Sequence, residues 1–118
     1  MSRKYKFYNK EGLYFVSFAT VYWIDVFTRE EYFESILESL KYCRTNLSME
    51  IYAYCIMTNH VHLIFRAGDA NPGRLMKSLK THTSKQIQQL IESHNQESRK
   101  EWMLWLMEKA GKKNSNVK

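Results

Sequence analysis

The sequence predicts an α+β fold with a ferredoxin-like plan, in which two long helices cover one face of an antiparallel sheet. Runs rich in β-branched and aromatic residues indicate strands, and apolar residues at three- and four-residue spacings indicate two long helices. The elements follow the order strand, helix, strand, strand, helix. The final strand of such a fold is missing from this order, and a short apolar helix follows instead.

The first strand is predicted over residues 13–22 and the first long helix over residues 29–46. The strand run is aromatic and β-branched and follows a Glu-Gly turn. Thr28 and Glu31 have the spacing of a capping box, which indicates a helix start. The apolar residues that follow have helical spacing and predict an amphipathic helix: Phe33, Ile36, Leu37, Leu40, Cys43 and Leu47.

A hairpin and the second long helix come next. Residues 50–57 and 60–66 are predicted to be strands, and the short polar pair Thr58-Asn59 suits a hairpin connection. Asn71 supplies an N-cap, followed by a proline, which first helical turns accept. The apolar side of this second helix contains Leu75, Met76, Leu79, Ile87, Leu90 and Ile91.

The last predicted element is a short helix over residues 102–110. Ser98 and Glu101 form a second capping-box pattern, and Gly111 is expected to end the helix, which leaves 111–118 as a polar linker or tail. Residues 102–107 are all apolar, and such a helix needs cover on more than one side. We therefore expect the parent protein to continue, although a homodimer or other oligomer could supply the cover. Residues 1–118 are predicted to form one domain.

Composition and charge limit the function classes. The chain is 44% hydrophobic, and no run approaches the roughly 18 apolar residues of a membrane span, so a soluble, non-membrane protein is expected. Two cysteines without Cys-x-x-Cys spacing and no signal-peptide pattern fit a reducing cytoplasm. Residues 66–118 contain eleven basic and five acidic side chains, whereas residues 1–65 contain seven of each. This positive half indicates either a solvated helix face or a polyanionic partner.

His60 and His62 are the candidate metal ligands. Side chains alternate along a strand, so both imidazoles point to one face while Val61 points to the other. Neutral imidazoles are common metal ligands, although such a pair also occurs as surface or hydrogen-bonded histidines. His82 and His94 are twelve residues apart on or near the second helix. They cannot easily both reach the same ion, which argues against a three-histidine zinc site, but His82 alone stays open as a third ligand.

The run from Tyr54 to Phe65, Tyr-Cys-Ile-Met-Thr-Asn-His-Val-His-Leu-Ile-Phe, resembles the histidine-hydrophobic-histidine (HUH) signature of single-tyrosine transposases, the insertion-sequence-200-like and REP-associated group. The strand Tyr14–Thr20 and the helix start Leu75–Lys80 also resemble that family, so the resemblance spans nearly the whole chain. Thr58 stands where many members have proline, which affects the turn more than the ligands.

The resemblance implies an enzyme that cleaves and rejoins single-stranded DNA, typically at hairpins. In such enzymes the two histidines hold Mg²⁺ or Mn²⁺ against the scissile phosphate, and a tyrosine attacks to form a 5′-phosphotyrosine link. The family's nucleophilic tyrosine and a further polar metal ligand follow its last strand, and this sequence ends before both. Every tyrosine here is Tyr54 or earlier, in segments where packing explains it, so the chain alone is not expected to nick DNA.

The predicted DNA-binding residues are basic, and they would contact phosphates with little sequence preference: Arg66, Arg74, Lys77, Lys80 and Lys85. Tyr52 and Tyr54 share a face of the predicted strand, where they could stack on unpaired bases or pack on the sheet. The alternative function is a non-catalytic module that binds single-stranded or hairpin nucleic acid, such as a degenerate or domesticated transposase or a domain resembling RNA-recognition domains.

Overall fold

The computed structural model of the protein describes residues 9–116, with side chains described through Lys112. Two 3₁₀ turns, Val21–Trp23 and Val26–Thr28, lie between the first strand and the first helix. The strands and helices in chain order are β1 (Leu13–Ala19), α1 (Glu30–Asn46), β2 (Met49–Ile56), β3 (His60–Ala67), α2 (Pro72–Ser93) and α3 (Lys100–Asn116).

The described strands form one antiparallel sheet in the order β1-β3-β2. The central strand β3 pairs with β1 through matches such as Ser17 with His62, and with β2 through matches such as Cys55 with His62. The predicted hairpin is confirmed, because the Met57 N–H donates to the His60 carbonyl oxygen across the connection, at 2.8 Å. The predicted ferredoxin-like α+β class is also confirmed.

Alternation along β3 separates the two faces of the sheet. Val61, Leu63 and Phe65 are fully buried, and they pack with apolar residues of α1 and α2. These residues have the alternation expected for a sheet that is covered on one face. The even-numbered residues of β3 are only partly buried. Both long helices therefore lie on one face, and the histidines lie on the opposite, open face.

A second apolar cluster holds the 3₁₀ segment against the end of α2 and the start of α3. Its fully buried members include Val26, Tyr32, Ile91 and Met103. Trp102 and Trp105, on the same helix as Met103, remain 46% and 58% exposed. The apolar run at 102–107 is therefore covered on only one side. No helix within residues 9–116 has the length and apolar character needed to cross a membrane.

A buried carboxylate links this second cluster to α1. The Glu97 side chain is fully buried and accepts hydrogen bonds from Arg29 at 2.7 Å, Arg99 at 3.0 Å and the Tyr32 hydroxyl at 3.1 Å. Burial alone would raise the pKa of Glu97, but the hydrogen bonds from Arg99, Arg29 and Tyr32 outweigh it and lower the pKa to about 2. Glu97 is therefore ionised at neutral pH.

The capping residues predicted for the starts of two helices are wrong. Thr28 does not cap α1, because its hydroxyl donates to the Asp25 carbonyl oxygen and Arg29 occupies the N-cap position without a side-chain hydrogen bond. At the start of α3 the Glu97 carboxylate, rather than Ser98, accepts the Arg99 backbone N–H.

Gly111 does not end α3, which continues to Asn116. Residues 111–116 of the predicted linker are thus helical, and 117–118 lie outside the described residues. One glycine in a helix costs only about 1 kcal/mol, which neighbouring turns can offset. The predicted N-cap at Asn71 is confirmed, because its side chain accepts the Arg74 N–H at 3.3 Å.

Candidate functional site

The two histidines lie side by side near the start of the central strand, on the open face. Their ring centroids are 4.8 Å apart and the rings are nearly perpendicular, at 84°. Each side chain is partly exposed. Val61 between them is fully buried in the core, which fixes the strand and therefore the direction of both imidazoles. The predicted shared orientation of the pair is confirmed, and His60 and His62 are called the histidine pair below.

Asn59 orients the first imidazole of the pair. Its Oδ1 lies 2.8 Å from His60 Nδ1, and its Nδ2 donates to the Trp23 carbonyl oxygen at 3.3 Å. The second contact identifies the amide nitrogen of Asn59, so the oxygen faces the histidine and must accept from Nδ1–H. The proton of neutral His60 is thus on Nδ1, and the lone pair is on Nε2, the atom that a metal ion needs.

His62 has its own partner on the neighbouring strand. Ser17 Oγ lies 2.7 Å from His62 Nδ1, and the two residues are paired in the register of β1 with β3. When the hydroxyl accepts from Nδ1–H, Nε2 of His62 carries the lone pair, as in His60. Phe15 stacks against the same imidazole with centroids 5.7 Å apart. Both rings of the pair are therefore held through Nδ1.

The turn before His60 is anchored by the 3₁₀ segment. Thr58 Oγ1 donates to the Asp25 carboxylate at 2.8 Å, and Thr20 donates to the Asn59 carbonyl oxygen at 3.2 Å. The Arg99 guanidinium in turn donates to the Asp25 carbonyl oxygen at 2.9 Å. The Glu97 cluster is therefore connected, through this segment, to the turn that carries the histidine pair.

The described part of the chain supplies no third His, Cys, Asp or Glu ligand near the pair. Within residues 9–116, no group of three His, Cys, Asp or Glu side chains is close enough to hold a metal ion. His82, which the sequence left open as a third ligand, instead lies between α2 and α1, where it contacts Ser39 at 3.1 Å and stacks on Tyr42. The structure argues against this open possibility, because the side of α2 that carries His82 faces α1 and the sheet separates it from the pair.

Arg66 shares the open face, but it lies at the other end of β3. It lies four positions after His62, which is roughly 13 Å along a strand. Its guanidinium forms an ion pair with Glu50 at 2.7 Å and donates to the Glu11 carbonyl oxygen at 3.0 Å. A phosphate bound there would not be the phosphate that contacts the histidine pair.

The basic residues of α2 lie in the helix layer, on the other side of the sheet from the pair. Arg74, Lys77 and Lys85 are exposed. Lys80 is partly buried over the Phe18 ring at 5.9 Å, and burial lowers its pKa. Lys80 and Lys85 line a cavity of about 490 Å³ that also includes Ala19 and Thr20 at the end of β1. Because Ala19 pairs with His60, these two lysines approach the end of the sheet that carries the pair.

Several tyrosines have packing or hydrogen-bonding roles. The hydroxyls of Tyr14 and Tyr32 bond to the Asn9 carbonyl oxygen and to Glu97. A β-bulge between Ile51 and Ala53 places Tyr54 in register with the core residue Leu63, on the helix side of the sheet. Tyr52 is the extra residue of that bulge. Both tyrosines line a cavity with Lys41 and Arg44 of α1, which is consistent with the prediction that they share one strand face.

The comparison with protein families gives one match. The family model described as "Transposase IS200 like" matches residues 10–108, which includes every element from β1 into α3. Neither the curated proteins nor the solved structures compared gave a match. The matched range contains the histidine pair, the turn that precedes it and the whole of α2. The chain therefore belongs to the IS200-like transposase family, whose members act on DNA.

Proposed function

We propose that this protein takes part in cleaving and rejoining single-stranded DNA, with the histidine pair holding a divalent cation against a DNA phosphate. The observation that carries the proposal is the orientation of the pair: both imidazoles lie on the open sheet face with Nδ1 engaged by Asn59 and Ser17. Such hydrogen bonds to the second ring nitrogen are the usual support of metal-binding histidines. In this arrangement Nε2 of His60 carries the lone pair that a metal ion needs.

Two imidazoles suit a divalent cation only as part of a larger ligand set. Mg²⁺ and Mn²⁺, the cations expected from the family resemblance, prefer oxygen ligands. Phosphate oxygens of DNA and water would complete the set, so the cation and the DNA should each strengthen the binding of the other. When bound, the cation would act as a Lewis acid on a phosphoryl oxygen. The histidines would position that phosphate.

The basic residues of α2, together with Arg66, are proposed to hold the rest of the DNA backbone. Arg74, Lys77 and Lys85 are exposed. They can bind phosphates without breaking any ion pair described for residues 9–116. Such contacts make binding weaken steeply with salt and give little sequence preference. Because Arg74, Lys77 and Lys85 lie on the other side of the sheet from the pair, a strand bound to both must pass around an edge or an end of the sheet.

One observation favours a second candidate, a non-catalytic module that binds single-stranded or hairpin DNA. Within the described residues the pair has no third protein ligand, and the hydroxyls of Tyr14, Tyr32 and Tyr52 have partners elsewhere. A binding module needs neither a third ligand nor a nucleophile. The two candidates predict the same DNA affinity and differ only in chemistry.

The deciding experiment incubates the full-length protein, with any residues that follow Lys118, with a labelled single-stranded hairpin oligonucleotide and Mg²⁺ or Mn²⁺, and the products are separated on a denaturing gel. Strand scission with a covalent protein–DNA adduct supports the transposase reaction, provided that His60→Gln abolishes it. His82→Gln is the matched control, because it removes an imidazole from the helix layer and should leave the reaction unchanged. Tight hairpin binding without scission or adduct supports the binding module.

A further inference from the structure

Two aromatic rings flank the histidine pair, and they are the most exposed large apolar side chains among the described residues. Phe15 is 66% exposed and stacks on His62, with an interplanar angle of 20°. Trp23 is 63% exposed and lies edge-on to His60, with centroids 5.9 Å apart. The four rings thus follow one another across the open face, with an aromatic ring at each end and the imidazoles in the middle.

The backbone at Trp23 is in a conformation that L-residues rarely adopt. Tyr22 and Trp23 have φ values of 53° and 56°, in the left-handed region where glycine or asparagine is usual. Each such residue costs of the order of one or more kcal/mol and persists only where the surroundings hold it. Asn59 does so here by donating to the Trp23 carbonyl oxygen while it orients His60. The same side chain therefore positions a histidine of the pair and an exposed indole.

The chemistry of the surroundings indicates what covers these rings. The chain as a whole carries a net charge of +6, so at long range it attracts a nucleic acid and repels a second copy, and its family acts on DNA. Exposed aromatic rings on a sheet are typical platforms for unpaired bases, because every base has a π-face. The polar imidazoles between the two rings match the phosphodiester that joins two neighbouring nucleosides.

We propose that Phe15 and Trp23 each stack on one unpaired nucleobase of single-stranded DNA, so that the phosphate between the two bases lies over the histidine pair. This inference deepens the proposed function and rests on it for the role of the phosphate. The stacking itself needs no metal ion. Its prediction is that removal of either ring weakens single-strand binding by about 5- to 150-fold, the range measured for stacked bases in other proteins.

The test uses the fluorescence of Trp23 in the full chain carrying Trp102→Phe and Trp105→Phe, which leaves it as the sole tryptophan. The protein is titrated in EDTA with an unstructured oligothymidylate and with an abasic phosphodiester of the same length. We expect the oligothymidylate to quench the indole and the abasic polymer to bind much more weakly without quenching. In the native-tryptophan chain, Phe15→Leu should weaken oligothymidylate binding while leaving its salt dependence unchanged, since no phosphate contact is lost.

Trp105→Leu is the matched control, because that indole is 58% exposed on α3, where Lys109 Nζ lies 5.0 Å from the ring centroid. Its affinity should equal that of the parent, and unchanged melting temperatures would confirm that the variants fold. Equal binding of the abasic polymer and oligothymidylate, or unaltered affinity in both Phe15→Leu and Trp23→Leu, overturns the inference.

A dimer that dissociates in Phe15→Leu without any effect on DNA binding also overturns it, in favour of a second copy of the chain as the occupant. Failure of the proposed function has a different signature. Base-dependent quenching would then persist in EDTA, while divalent cations would have no effect through the histidine pair.

Discussion

Replacing Glu97 by glutamine tests the cluster that supports the turn carrying the histidine pair. The carboxylate is fully buried and contacts Arg29 and Arg99, whose side chains are 34% and 25% exposed. Its folded pKa of about 2 lies below the ordinary 4.5, so its contribution is fully present above pH 4.5 and is lost as the pH falls toward 2. That difference corresponds to about 3 kcal/mol of stability at neutral pH. Removing one partner of a buried ion pair typically lowers the free energy of unfolding by a similar amount.

Urea unfolding at pH 7 and pH 3, monitored by far-UV circular dichroism, measures the contribution of the Glu97 carboxylate to the free energy of unfolding. We expect Glu97→Gln to lower the free energy of unfolding by about 3 kcal/mol at pH 7 and by only about 1 kcal/mol at pH 3, where the carboxyl of the unfolded parent is largely protonated. Glu31→Gln is the control, because that carboxylate is 55% exposed. Its replacement should change the free energy of unfolding by less than about 0.5 kcal/mol. An equal deficit at both pH values, or no deficit at pH 7, would refute the reasoning.

Three further predictions follow from the contacts described. Asn59→Ala removes the acceptor for His60 Nδ1 and should weaken the binding of a divalent cation by about 10- to 100-fold in a titration. Gly68→Ala would place a Cβ 2.9 Å from a backbone carbonyl oxygen and should cost about 1–3 kcal/mol in urea unfolding, whereas Gly73→Ala, with open space around it, should not destabilise. Cys55 is exposed and should react quickly with a thiol reagent, whereas Cys43, whose pKa is raised to about 11 by burial, should react only on unfolding.

Local patterns in the sequence predicted most of the fold. Alternation around Val61 identified the central strand, and the apolar spacing through Ile36 and Leu40 identified α1, because a half-buried strand and an amphipathic helix each impose a period. The helix ends were harder to predict. Threonine is a common N-cap residue, but the Thr28 hydroxyl donates to the Asp25 carbonyl oxygen instead. That contact depends on a 3₁₀ turn, which has no periodic pattern in the sequence.

The candidate site was predicted only in part, for a related reason. The period of a strand places His60 and His62 on one face, and the structure confirms that placement. Helical spacing does not tell which neighbouring layer a helix side faces, so His82 was left open as a ligand although it lies against α1. Trp23 was missed because its position beside His60 arises from the two left-handed residues after β1, which no sequence period indicates.

The measurement that tests the central claim most directly is the affinity for a hairpin oligonucleotide with and without Mn²⁺ at constant ionic strength. Fluorescence anisotropy of the labelled oligonucleotide reports the binding. Shared ligation of the cation by the histidine pair and a phosphate predicts that Mn²⁺ tightens DNA binding by the parent by about 5- to 150-fold. His60→Gln should abolish that gain, and His82→Gln should retain it. An equal gain in the parent and in His60→Gln, or no gain in the parent, would contradict the assignment of the pair as the metal site.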